Sequence, residues 1–247
     1  MSKQIWLENH GFGLWEALGW EPSSKQLEQM ISIQKLLKAW NQRVNLTRLI
    51  HNEDYWVGQI FDSLWPLKKE LTNPLRSLRC IDIGSGCGFP GLAIAIALPN
   101  SQFTLVDAAS KKTRILKNMI EEIGISSRVK ILNERAEITG QNKSYRSMFD
   151  IAMARAVAPA PIVAEYLIPL LNHTGEAILF RGKWTNDDKV NLTKAIKLLK
   201  ADLIKIEIQH LPYKLGLRHQ IRLKAIASCP MKYPRKVGIP SKHPLGN

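Results

Sequence analysis

Apolar residues recur with a helical period along the first part of the chain. Leu27, Met30, Ile31, Leu37, Trp40 and Val44 line one side of a predicted helix, and Ser23 or Ser24 stands where an N-cap is needed. A polar break at Asn45-Leu46-Thr47 follows. A second helix is predicted over residues 55–65, stopped by Pro66, and Thr72-Asn73-Pro74 reads as a connection.

Beyond it the pattern changes to short apolar runs alternating with helical stretches. Strands are predicted over 78–83, 103–106, 129–132, 149–153 and 177–180. Helices are predicted from Pro90 to near Pro99, over 110–123 with Ser110 as cap and Gly124 as stop, around 162–171, and over 186–200. Segments 203–211 and 220–227 are expected to close the chain as an antiparallel pair turning at Leu215-Gly216. Such alternation implies an α/β fold, with a mostly parallel sheet covered on both faces. Three regions are expected: an N-terminal helical segment (1–74) packed on a catalytic domain (75–229), and a tail (230–247).

Charge narrows the partners. The 247 residues hold 35 Lys and Arg against 21 Asp and Glu, a formal net charge of +14 and a pI near 9.8. That balance favours a polyanion. The tail carries Lys232, Arg235, Lys236 and Lys242 without an acid, and Pro230, Pro234, Pro240 and Pro244 argue against a helix, so an extended basic arm is expected. No apolar run reaches the ~18 residues of a membrane span, and Met1–Trp20 lacks the layout of a secretory signal. Cys80, Cys87 and Cys229 show no CxxC spacing, so a reduced cytoplasmic setting and no metal site are expected.

The chemistry concentrates in Cys80-Ile81-Asp82-Ile83-Gly84-Ser85-Gly86-Cys87-Gly88-Phe89-Pro90-Gly91. Gly84, Gly86 and Gly88 allow a tight turn and a close ligand approach, and the loop runs into a helix N-terminus. Gly86, Gly88 and Gly91 also satisfy the dinucleotide GxGxxG pattern, which alone distinguishes little. Asp82, two residues before Gly84, suits the methionine ammonium of S-adenosylmethionine and would oppose a pyrophosphate. Asp107 ends the next strand, about twenty residues on, where an acid holds the ribose of a nucleoside cofactor. Cys87, inside this loop and without a nearby His, reads as packing and not as a nucleophile.

Residues 81–91 resemble the cofactor loop of the glucose-inhibited division protein B family, and the Phe-Pro-Gly ending is its most specific part. Trp40-Asn41, Asn45-Leu46-Thr47 and Asp62-Ser63 are similar to the family's N-terminal signatures, Ala154-Arg155-Ala156 to its Ser-Arg-Ala element, and the tail from Tyr233 to that of many members. The resemblance covers nearly the whole chain. It implies a Rossmann-like class I S-adenosylmethionine methyltransferase fold, with a seven-stranded sheet and an antiparallel strand near the C-terminus. It also implies methylation of guanine N7 in 16S ribosomal RNA, on free RNA, the small subunit or an assembly intermediate. Cofactor contacts carried over by position fall on Gly84, Phe89, Asp107-Ala108-Ala109, Ala136-Glu137 and Arg155, with Arg155 near the reacting end. Gln59 departs from a usual His, and Phe180-Arg181-Gly182 from Leu-Lys-Gly.

Guanine N7 is unprotonated, so no general base is sought, and positioning is the enzyme's main contribution. Candidate RNA contacts are Arg43, Arg48, His51, Arg181, Lys183, Arg218, Arg235 and Lys236. A monomer is expected. Methylation of a different RNA base, an NAD-dependent oxidoreductase using the same glycines, and an idle RNA-binding protein are the rival readings.

Overall fold

A computed structural model describes residues 13–73 and 75–246. Residues 1–12, part of the stretch read above for signal character, and Pro74 of the connection lie outside the described residues. Helix α1 (Ser24–Asn41) starts at a reciprocal capping box: Ser23 N–H donates to Gln26 Oε1 at 2.8 Å, and Gln26 N–H to Ser23 Oγ at 3.4 Å. It buries Met30, Ile33 and Leu37 and ends before Val44, which follows it in a turn.

The second helical stretch, α2 (52–71), is longer than predicted and irregular. It passes through a π-helical segment at Trp56–Phe61 and a 3-10 turn at Trp65–Leu67. Pro66 does not stop it. It falls in the first turn of the 3-10 segment, where a missing N–H breaks no bond.

The sheet is built from β1 (Arg79–Ile83), β2 (Gln102–Val106), β3 (Val129–Leu132), β4 (Phe149–Arg155), β5 (Leu171–Arg181), β6 (Ala201–His210) and β7 (Leu217–Ala225). Its order is β3-β2-β1-β4-β5-β7-β6, and β7 runs antiparallel to both neighbours. Between strands lie α3 (Gly91–Ala97), α4 (Ser110–Glu122), α5 (Ala136–Gln141), α6 (Ala160–Leu167) and α7 (Asn186–Leu198). Helix α5 was not predicted. The helix expected over 162–171 instead ends at Leu167, passes through a 3-10 turn, and gives way to β5 at Leu171.

Two apolar layers cover the sheet. Cys80, Leu105 and Met153 pack with α1 to α4 on one face, and Ile81, Ile83, Ala152 and Leu179 pack with α6 and α7 on the other. The two-residue side-chain period thus puts Asp82 on the α3 face, with Cys80.

The tail is not an extended arm. Buried Arg146 donates to the carbonyls of Gly140 (3.2 Å), Tyr233 (2.6 Å), Cys229 (2.7 Å) and Pro230 (3.1 Å). Arg235 bonds both carboxylate oxygens of buried Glu165, at 2.9 and 2.7 Å. Pro240 lies in the first turn of a short helix, α8 (Ile239–Lys242), a position that tolerates proline. The prolines prevent a long helix, but a buried guanidinium takes up the carbonyls such a chain leaves free. Arg146→Leu is expected to cost about 3 kcal/mol, because it leaves buried carbonyls unpaired. Urea unfolding measures the loss, and trypsin is expected to cut the released tail at Lys232 and Arg235.

Candidate active site

The glycine loop leaves β1 at the carboxyl ends of the parallel strands, where such sheets form crevices. Gly84 and Ser85 donate to the Val106 carbonyl at 2.8 and 3.0 Å, so the turn is anchored to β2. Gly84 has φ +73°, and a Cβ there would meet Val157 Cγ2 at 2.5 Å. Gly86 faces open space, with only the Gly84 carbonyl oxygen near a built Cβ, at 3.9 Å. Gly88 is different: its missing Cβ leaves room for Leu92 and Leu116, so it packs into the core and does not line the crevice.

Asp82 also lies behind the loop. It is fully buried, and Oδ2 accepts from Gly91 N–H at 2.9 Å at the start of α3. Its Oδ1 has no protein partner, and burial raises its pKa to about 7. Asp82 was expected to face the ammonium of a cofactor; because it points to the α3 face, it supports the loop from below.

Asp107 is the carboxylate that the crevice exposes. Oδ2 accepts from Gly86 N–H and Oδ1 from Ala109 N–H, both at 2.8 Å. It lines two adjoining cavities, of about 740 and 240 Å³, which also share Gly84 and Val157. The smaller is walled by Ala108, Ala136, Glu137, Tyr166 and Ser241. The Glu137 side chain turns to the tail, where Oε1 accepts from Gly238 N–H at 3.0 Å and Tyr166 OH at 3.3 Å. The larger cavity reaches Phe89, Cys87 and Arg155. Burial raises the Cys87 pKa, which keeps the thiol protonated.

Arg155 ends β4 at the mouth of the larger cavity. Its guanidinium donates to Asp62 Oδ2 at 3.1 Å, to the Gly58 carbonyl at 3.3 Å, and to Gln59 Oε1. Arg218, at the start of β7, pairs with the other Asp62 oxygen at 3.4 Å. Gln59 Nε2 donates to Thr47 Oγ1 at 3.1 Å, and Asn41 Oδ1 accepts from Leu46 and Thr47 N–H at 2.8 and 3.2 Å. The π-helical segment contains Gly58 and Gln59 and ends immediately before Asp62. Sequence reasoning singled out Asn41, the 45–47 break and Asp62 but not their common role in holding Arg155. An acid inside the apolar run Ile60-Phe61-Asp62-Ser63-Leu64 was the available signal.

Of the candidate RNA contacts, Arg181 and Arg218 line the crevice, as does Lys112, which was not predicted. Arg181 donates to the Ala158 carbonyl at 2.7 Å. Arg43, Arg48, His51 and Lys183 are exposed outside the cavity lining, Lys236 is exposed on the tail, and Arg235 is committed to Glu165.

Asp82 generates a pH prediction. Its folded pKa, about 7, lies above the ordinary 3.8, so between these values the folded chain binds the proton more tightly than the unfolded one. Its contribution therefore weakens as pH rises through that window. Asp82→Asn keeps an acceptor for Gly91 N–H. The variant is expected to gain stability relative to the parent as pH rises from about 4.5 to about 7.5, as followed by urea melts. A constant difference would remove the shifted carboxyl.

Comparison with known proteins agrees with the sheet. The family model for rRNA small subunit methyltransferase G (GidB) matches residues 26–215. A "Ribosomal RNA small subunit methyltransferase G" of Prochlorococcus marinus (strain MIT 9313) is 58% identical over 247 residues, covering 100% of both chains. A protein of the same name from Synechococcus sp. (strain CC9311) is 54% identical over 96% of this chain and 93% of its own. Among solved structures, the branched-chain polyamine synthase from Thermus thermophilus superposes with TM-score 0.54 at 10% identity, over 68% of this chain and 57% of that one. A point mutant of MtNAS gives 0.51 at 14%, over 81% and 71%. At such identities the structural matches speak to the fold alone, and they agree with a Rossmann-like sheet ending in an antiparallel strand. The family match and the full-length relatives decide the identity: the chain belongs to the rRNA small subunit methyltransferase G family.

Proposed function

We propose that the protein transfers a methyl group from S-adenosylmethionine to N7 of a guanine in small-subunit ribosomal RNA. The observation that carries this reading is the pair of adjoining cavities, with the Asp107 carboxylate lining both and the Arg155 guanidinium lining the larger. The residues present fit such a cofactor. The smaller cavity, of about 240 Å³, has Ala108, Ala136 and Ala158 in its walls, Asp107 offers free lone pairs to ribose hydroxyls, and Gly86 lets a ligand approach the backbone. When bound, S-adenosylmethionine supplies an electrophilic methyl group on a sulfonium.

The chain's own residues then position and shield. Guanine N7 brings its own lone pair, so no residue has to remove a proton from it. Arg155 is held on three acceptors, which directs its remaining donor capacity toward the cavity. A guanine presents O6 beside N7, and a guanidinium that donates to O6 alone orients the base and leaves the N7 lone pair free to attack. Burial raises the pKa of Cys87, which disfavours the thiolate that covalent attack on a pyrimidine would use. Arg181, Arg218 and Lys112 give the mouth the charge an RNA backbone requires. A ribosomal substrate fits a cytoplasmic setting. No helix among the described residues is long and apolar enough to cross a membrane.

The decisive experiment maps N7-methylguanine in 16S RNA from cells with and without the gene. A single guanine is expected to lose its modification, and an unchanged profile would refute the assignment. Arg155→Lys, which cannot keep the forked contacts, is expected to lower kcat/KM about 100-fold with cofactor affinity preserved. Asp107→Ala is expected to do the reverse, weakening cofactor binding by about tenfold or more in calorimetry.

A further inference from the structure

A second basic cavity, of about 470 Å³, lies at the opposite end of the sheet, where β1 to β4 begin. Strands of five residues at about 3.3 Å each put it roughly 17 Å below the glycine loop. Arg79 opens β1, Lys130 lies in β3, and Arg128 precedes β3; all three line it. Ser126, Ser127 and Tyr145 add hydroxyl groups, and no acidic residue lines it.

The cations are held without being neutralised. Arg79 stands over the Phe149 ring, 5.8 Å from its centroid. Lys130 Nζ donates to Tyr145 OH at 2.6 Å and lies over the same ring. Tyr145 in turn stacks on Phe149 at 6.5 Å, which fixes both cations to one aromatic pair. Arg128 is half-buried, its buried NH1 nitrogen has no partner, and desolvation lowers its pKa. Glu21 lines the cavity on the far side of Arg128 but forms no ion pair with it among the described residues. Partly desolvated guanidinium groups are normally paired, so this one lacks an anion.

We infer that this cavity is a phosphate-binding pocket, separate from the crevice, formed by Arg79, Arg128 and Lys130 with the Ser126-Ser127 hydroxyls. Two sources carry such a group: a free nucleotide, or the backbone of the RNA substrate. The second source rests on the function proposed above; the first does not. As a backbone contact, the pocket anchors substrate about one strand length from the reacting base and contributes register and affinity.

The test titrates the full chain with inorganic pyrophosphate by calorimetry at low salt, in parallel with an Arg128→Gln/Lys130→Gln variant. Arg128 is half-buried and Lys130 exposed, and an unchanged thermal midpoint verifies the fold; Lys130→Gln alone serves if the pair melts early. Saturable binding that weakens about tenfold in the variant is expected, since charge-assisted contacts are lost. Equal binding by both proteins, or none by either, would overturn the pocket. RNA binding as a function of salt then separates the sources. A log–log slope shallower by about 0.7 for each contact removed assigns the pocket to the RNA backbone. An unchanged slope, with pyrophosphate binding lost, assigns it to a free nucleotide.

Discussion

Asp62 holds two arginines at the mouth of the crevice, and three distant parts of the chain meet through it. It belongs to α2, Arg155 ends β4 and Arg218 begins β7. The carboxylate is buried, and burial of a charged group is tolerated where it is paired and hydrogen-bonded. Two guanidinium groups against one carboxylate leave a surplus positive charge facing the cavity. The π-helical segment matters because it presents the Gly58 carbonyl and the Gln59 amide to Arg155 just ahead of Asp62. Asn41 and Thr47 extend the same scaffold into the loop after α1. Arg155 is thereby fixed before any substrate arrives, which is the form of organisation that positioning chemistry requires.

The loop beside it is held by two carboxylates with different duties. Asp82 takes Gly91 N–H from beneath, in a site dry enough to raise its pKa to about 7. Asp107 takes Gly86 N–H from the side and remains open to both cavities. One stabilises the strand-to-helix junction, and the other lines both cavities. The glycines divide similarly, Gly86 facing the cavity and Gly88 admitting Leu92 and Leu116 beneath it.

The parallel core was legible because buried strands read as short apolar runs, and the antiparallel end because Leu215-Gly216 interrupts a long apolar pattern. Asp107 and Arg155 were legible because the carboxyl ends of strands are where such sheets expose side chains. Asp82, expected at a cofactor's ammonium, lines neither cavity: its position along the loop was readable, but only the pleat gives the face it takes. The continuation of α2 through Pro66 was hidden because proline ends an α-helix yet suits the first turn of a 3-10 segment. The tail misled because residue type shows charge and not partner; Glu165 and Glu137, which receive Arg235 and Gly238 N–H, lie 70 and 101 residues away in sequence.

That last point bears on how a net charge of +14 should be understood. Arg146 and Arg235 secure the tail, and Arg222 is buried between Glu70 and Glu176, so these cations act within the fold. Arg43, Arg48, Lys183 and Lys236 are exposed without ion pairs among the described residues, and their charge reaches solvent. Arg155, Arg181 and Arg218 fall between these groups, each bonded to the protein while lining the cavity. Exposed cations attract a polyanion from a distance, and salt screens them. Cations fixed on acceptors lose less entropy when they engage a ligand, so they contribute orientation. The division follows from partners: under the function proposed above, the unpaired basic residues would draw RNA to the surface, and the paired ones lining the cavity would set where its base comes to rest.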